Sequence, residues 1–236
     1  MKITLLSHEY PPFFRGGVGT FCHDLGEALS ERNIDTVIIA GKSDIPTIEK
    51  INNNLKIVRL PCYDFPPRHF WFYIKNLSRK INLLKETSIF HCIKPEDAML
   101  CSVYKNKLRK PMITSIHGIP HSDLREFLRS PFRTWNMGEF AYNFVEFPLN
   151  ERFFMKALRD SDHLLTCSYS TLNEVNKIYT NINSENTSVI YNSINFHRFD
   201  KINATTNQKY AENQENAFGK NLQMHIKNKN KRKSIA

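Results

Sequence analysis

The chain has 236 residues, 41% of them apolar or aromatic, enough for one sizeable core or at most two small domains. The net charge of +10 does not describe the body: residues 201–236 hold eight Lys or Arg against Glu212 and Glu215, which places six of those charges in the last stretch. No apolar run has the length of a membrane-spanning helix, and five widely spaced cysteines without a Cys-x-x-Cys indicate neither a disulfide framework nor a zinc site.

Met1 and Lys2 precede only four apolar or small residues before Ser7 and His8, which is no signal peptide. The expectation is a cytoplasmic protein, one that touches a membrane only peripherally, at its inner face. Ile3–Leu6 reads as a strand, and Gly16-Gly17-Val18-Gly19 follows it. A helix-period run comes next, with Phe21, Leu25, Ala28 and Leu29 on one face and Asp24, Glu27 and Glu31 opposite. A glycine loop at a helix N-terminus offers backbone N–H groups to an anion, of which phosphate is the simplest. A tight strand-to-helix turn with no ligand is the other reading. The spacing fits neither the dinucleotide nor the P-loop pattern.

Thr36–Ala40 and Leu55–Leu60 read as strands, with a polar connection over 41–54 between them. Helical spacing runs from Phe70 to Glu86, and a short apolar strand from Ser88 to Ile93. Glu96–Arg109 reads as helix and Met112–Ile116 as strand, ending in His117-Gly118. Residues 119–149 break the rhythm. Asn150–Ser161 and Ser170–Tyr179 return to helix, with strands at His163–Cys167 and Ser188–Tyr191. Alternating strands and helices predict an α/β fold, with a mostly parallel sheet of about seven strands flanked by helices. Ligands of such sheets sit beyond the strand C-termini. The Gly16–Gly19 loop, His91 and His117 all fall there, so they are expected to converge on one crevice.

Four stretches carry a resemblance. Glu9-Tyr10-Pro11-Pro12 followed by Gly16-Gly17-Val18-Gly19 resembles the opening of the family 4 retaining glycosyltransferases. Phe90-His91-Cys92-Ile93-Lys94-Pro95, Thr114-Ser115-Ile116-His117-Gly118 and Val189-Ile190-Tyr191-Asn192-Ser193-Ile194-Asn195 fit that family in order. The resemblance covers about residues 1–200. It implies a Rossmann-like acceptor domain, one half of a GT-B fold, whose other half binds a nucleotide-sugar donor. Gly16, Gly17 and Gly19 would then serve the donor phosphates, with Gly17 facing the phosphate and Gly16 permitting the turn. His117 would be the reaction-centre group, and Arg15, His91 and Tyr10 would belong to the acceptor side or the crevice wall. His117 read from spacing alone is equally a core histidine with one backbone partner. Where the family often has a second histidine two positions after His91, this chain has Ile93.

His117 and His121 are four apart, but Gly118 and Pro120 between them argue against a metal pair on one helix, and no metal is expected. No separate cofactor is expected beside the nucleotide-sugar donor. Aromatic and basic residues mix over Tyr63–Tyr73 and Leu124–Trp135, which suits a membrane interface or ordinary half-buried packing. Residues 201–236 are rich in Asn, Gln and Lys and read as a disordered basic tail, without the interleaved aromatics of a single-strand nucleic-acid binder, and no specific nucleic acid is expected as partner. No second Rossmann-like half follows Asn195. The chain is therefore expected to be the N-terminal half of a transferase acting on a glycan or lipid-linked acceptor in cell-envelope polysaccharide synthesis. It would be a truncated or frameshifted enzyme, or a subunit completed by a donor domain in trans. The alternative is a non-catalytic sugar- or lipid-binding protein derived from such a domain.

Overall fold

Consecutive residues of a strand face opposite sides of a sheet, and a sheet covered on both faces needs apolar side chains at both parities. The central strands meet that need. In β1 (Lys2–Ser7) Leu5 packs into one core cluster and Leu6 into another. In β2 (Asp35–Ala40) Ile38 and Ile39 divide in the same way, as do Ile57 and Val58 of β4 (Leu55–Arg59). The computed structural model describes residues 1–13, 16–41, 46–63, 68–76, 81–131, 140–179 and 184–192. Arg15 and the basic tail lie outside them.

Among the described residues the sheet has eight strands in the order β3-β4-β2-β1-β5-β6-β7-β8, where β3 is Thr47–Lys50, β5 Ile89–Cys92, β6 Met112–Ile116, β7 His163–Thr166 and β8 Thr187–Val189. Every neighbouring pair is parallel except β3 and β4. This is the expected Rossmann-like α/β sheet with one strand more than predicted. The addition is β3, which the sequence suggests is loop because it is a mostly exposed edge without apolar alternation. Its pairing with β4 holds it, and Glu49 accepts from the nearly buried Arg59 guanidinium.

Helix α1 (Gly17–Glu31) covers one face. Its innermost residues are Gly19, Cys22, Gly26 and Ser30, with Phe21, Leu25 and Leu29 only partly buried beside them. The apolar stripe therefore flanks the contact line, and small residues let the helix lie close to the sheet. A Cβ on Gly26 would come within 2.7 Å of Ile38 Cδ1. The opposite face is covered by α2 (Arg68–Asn76), α3 (Ile81–Leu84), α4 (Ala98–Leu108) and α6 (Phe147–Asp160), which contribute Phe72, Leu84, Leu100, Cys101 and Ala157 to a shared core. The stretch 119–149 contains α5 (Pro120–Arg129) and a wide π turn, Ala141–Glu146, that runs into α6. Helix α7 (Tyr169–Ile178) starts at Ser168, whose hydroxyl accepts from the Thr171 N–H. It packs Val175 with Phe154 and Leu164.

Strand order decides where a ligand can sit. From β1 the chain moves outward through β2 and β4, then returns to lay β5 on the other side of β1. The loops leaving β1 and β5 therefore part company and open a crevice at the strand C-termini.

Candidate functional site

The two diverging loops are tied together by buried charge. Asp97 closes a short turn after β5 (Pro95–Asp97), and its Oδ1 accepts from the His8 backbone N–H at 3.0 Å. The same oxygen lies 2.6 Å from His8 Nδ1. Both residues are buried. The other ring nitrogen of His8 lies 3.5 Å from Glu9 Oε1, and Lys94 Nζ donates to that oxygen at 3.3 Å. Burial pulls the His8 imidazole toward its neutral form, but the Asp97 charge and hydrogen bond outweigh it, and its pKa is pushed up to about 9. The His8 hydrogen bond overcomes burial at Glu9 and, with Lys94, holds that carboxyl down at about 2. The network is thus a row of alternating charges, Asp97, His8, Glu9 and Lys94, across the split. Arg59 braces the same loop from the sheet by donating to the Pro11 carbonyl at 2.9 Å.

The glycine loop ends against this network. Gly16 is the N-cap of α1 with φ −106° and ψ 164°, a conformation open to any residue, so the turn does not depend on glycine's backbone freedom. Space is what excludes a side chain, since a Cβ on Gly16 would lie 2.9 Å from Glu9 Oε2. Among the described residues, a Cβ on Gly17 would meet nothing within 4 Å. The first helical bond runs from Thr20 N to Gly16 O, which leaves the N–H groups of Gly17, Val18 and Gly19 at the open end of the helix.

His117 follows β6 directly. Its ring meets Phe21 of α1 edge-on, with centroids 4.8 Å apart. Its Nε2 is buried and has no hydrogen-bond partner among the described residues. Burial, helped by the Lys94 charge, lowers its pKa, so the ring is neutral at neutral pH. His117 forms one wall of a cavity of about 210 Å³. Val18 of α1 lies on a second side, Lys94, Pro95 and Glu96 on a third, and Gly118, Pro120 and Asp123 complete the lining. Glu96 Oε2 is also buried without a partner among the described residues. Asp123 stands at the rim; partial desolvation of its carboxyl and the Glu96 charge raise its pKa.

The expected convergence is thus partial. The start of α1 and His117 meet at one cavity, but His91 does not line it. His91 lies within β5 and is buried, with Nε2 2.8 Å from Ser115 Oγ on β6. Burial and the neighbouring His117 bring its pKa down to about 4. Tyr10 is likewise interior, in the core cluster with Leu5, Cys22 and Ile38. Its phenol is raised by burial. Arg15 lies outside the described residues. His121 is separate from His117: its Nδ1 is 3.1 Å from Glu151 Oε2 and 3.2 Å from the Tyr179 hydroxyl. His23, Asp24 and Glu27 on α1 bring three ligand-type atoms within 4.8 Å of one another; His23 Nδ1 lies 3.2 Å from Asp24 Oδ1, an ordinary pairing for a half-buried helix surface. A larger cleft of about 450 Å³ between α5 and α7, lined in part by Arg125, Glu174 and Lys177, contains none of the predicted site residues that are described.

The sequence reading missed His8, Glu9, Glu96 and Asp97 as a set. The signal was present: two clusters of ionisable residues, each directly after a buried strand, on the two strands that flank the split.

A family model described as Glycosyltransferase Family 4 matches residues 15–198. The chain belongs to glycosyltransferase family 4. An uncharacterised glycosyltransferase of Methanocaldococcus jannaschii, MJ1607, is 25% identical over 213 residues, covering 89% of this chain and 50% of that protein. Among solved structures, sucrose-phosphate synthase of Thermosynechococcus elongatus superposes with a TM-score of 0.61 at 13% identity, over 80% of this chain and 47% of that one. Anabaena HepE, solved in complex with UDP and glucose, superposes with a TM-score of 0.50 at 13% identity, over 84% and 46%. The family 4 domain therefore has the fold of one half of these enzymes, and the chain spans about half the length of the curated relative it matches. Among its described residues no helix is long and apolar enough to cross a membrane.

Proposed function

We propose that this family 4 domain is the acceptor half of a transferase that moves a sugar from a nucleotide-sugar donor to a glycan or lipid-linked acceptor. The observation that carries the reading is the unpartnered, buried His117 Nε2 in a cavity wall beside the first turn of α1. In the reaction the acceptor hydroxyl oxygen bonds to the anomeric carbon. The bond from that carbon to the diphosphate oxygen breaks, its electron pair stays on the diphosphate, and the hydroxyl proton passes to the departing group. The open N–H groups of Gly17, Val18 and Gly19 supply fixed dipoles to the growing negative charge. Neutral His117 holds a sugar hydroxyl and orients it. Burial, helped by the Lys94 charge, keeps that ring unprotonated, and Glu9 at the end of the Asp97–His8–Glu9 row holds Lys94. His91 acts from behind, fixing the β5–β6 edge through Ser115.

The donor's base and ribose have no evident seat among the described residues, so a second, donor-binding half in trans or in the same polypeptide completes the catalyst. A lipid-linked acceptor would be approached through α5, where Leu128 is exposed between Arg125 and Arg129. That arrangement accords with peripheral contact at a cytoplasmic membrane face.

The test is a reconstituted two-half enzyme assayed with a panel of nucleotide sugars. His117→Ala is expected to lower transfer by about 10²-fold or more. Full transfer by a normally folded His117→Ala variant overturns the role of the histidine. Steady turnover by residues 1–236 alone overturns the half-enzyme reading.

A further inference from the structure

The acceptor cavity has a charge character that the transfer reading does not use. Its cation, Lys94, already pairs with Glu9. Its remaining ionisable walls are the neutral His117 and two carboxyl groups, Glu96 and Asp123, contributed by different elements. Glu96 Oε2 and His117 Nε2 are both buried and both lack a partner among the described residues. A carboxylate oxygen kept from water without a donor is costly unless a ligand supplies that donor. Sugar hydroxyls are such donors, because one carboxylate can accept from two of them. A ligand carboxylate or phosphate brings acceptors only and would face Glu96 and Asp123 with like charge. The cavity volume of about 210 Å³ suits a single sugar ring rather than a whole nucleotide.

We infer that Glu96 and Asp123 are the specificity-determining residues of the acceptor subsite, and that with His117 they select an uncharged polyol sugar over a uronic acid or sugar phosphate. This rests on the acceptor-half reading given above. Glu96 is the main reader, being the more enclosed of the two. Asp123 stands at the mouth and carries the discrimination against incoming anions. The donor diphosphate is met from the other side, by the backbone of α1, so one site treats its two substrates oppositely.

The experiment uses the full chain and follows the His117 imidazole by nitrogen-15 NMR. It is titrated with the methyl glycosides of glucose, galactose, mannose and xylose, then with glucuronate and glucose 6-phosphate. At least one neutral glycoside is expected to shift the His117 signal, with both anionic sugars at least about tenfold weaker. Glu96→Gln should weaken the neutral sugar by about tenfold and Asp123→Asn should narrow the gap to the anions, with amide dispersion unchanged. Equal or tighter binding of the anionic sugars overturns the inference. So does the absence of any neutral-sugar shift at His117, or binding unchanged in both variants. Failure of the transfer reading looks different. Neutral sugars binding at His117 in a protein that transfers from no nucleotide sugar, even with a second half, sustains the polyol site and removes the enzyme. Transfer to neutral and uronic acceptors at equal rates does the reverse.

Discussion

Asp97 Oδ1 accepts two contacts from His8, one from its backbone N–H at 3.0 Å and one at its Nδ1 at 2.6 Å, and so joins the loops on either side of the split between β1 and β5. Both residues are buried, so water does not compete for the imidazolium, whose other ring nitrogen faces Glu9 Oε1 at 3.5 Å. Asp97→Asn keeps the shape and removes the charge. Breaking this buried pair, the nearer of the two carboxylate contacts of His8, costs roughly 3 kcal/mol, read as a fall in the urea midpoint. With burial then opposed by Glu9 and no longer by the Asp97 charge, the His8 imidazole should titrate below its present value of about 9. An unchanged His8 titration in Asp97→Asn would show that Asp97 does not set its charge.

Stability should depend on pH in two opposite windows. Above the ordinary imidazole value of 6.5 the unfolded chain loses a proton that folded His8 keeps until about 9. The stabilisation from His8 is therefore complete below 6.5 and is lost as pH rises through 9. His91 behaves in the reverse sense. Between 6.5 and about 4 the unfolded chain binds a proton that the folded state refuses, so stability falls with falling pH across that range, by roughly 3 kcal/mol for this group. Denaturant midpoints measured from pH 4 to 9 should pass through a maximum near neutrality. His91→Gln, which can keep the Ser115 bond, should flatten the acid side only.

The loop glycines should separate folding from ligand binding. A Cβ at Gly17 meets none of the described residues within 4 Å, so Gly17→Val should fold normally and lose affinity for a diphosphate at the start of α1. Calorimetry with a panel of nucleoside diphosphates on the proposed two-half enzyme reads that loss. Normal affinity in Gly17→Val would remove the glycine backbone from the donor site.

Gly41→Ala tests the opposite case. A Cβ at Gly41 would stand 2.5 Å from the His8 carbonyl oxygen, a backbone atom that cannot swing aside. The expected cost is roughly 1–3 kcal/mol, with a displaced His8. Gly16→Ala should cost less, since the Glu9 side chain it approaches can yield. Equal midpoints for wild type and Gly41→Ala would contradict this packing.

We propose that residues 1–200 are the folded domain and 201–236 a solvated basic tail. Deleting residues 204–236 should leave the thermal midpoint almost unchanged. A large drop would mean that the tail packs on the body.

What the sequence by itself determined is what neighbours along the chain can encode. Apolar runs such as Thr36–Ala40 and Met112–Ile116, separated by helix-period stretches, specify parallel strands covered on both faces. With a parallel sheet given, the crevice must lie at the strand C-termini, and that placed His117 and the start of α1 together. The family was legible too, because its motifs are local. Tertiary structure decided everything that depends on two distant residues. His8 and Asp97 are 89 positions apart, and nothing in either segment announces the other. A side chain at Gly16 would crowd the Glu9 carboxylate although the dihedral angles there admit any residue, a constraint invisible without the fold. His91 and Tyr10 carry site-like chemistry in site-like motifs, yet they point into the interior, because strand register and packing choose which face a side chain takes. Pairing across the sheet likewise made a strand of Thr47–Lys50, whose own pattern is too polar to declare it. Local periodicity reports burial along one element; charge partners, close approaches and cavity walls exist only where separate elements meet.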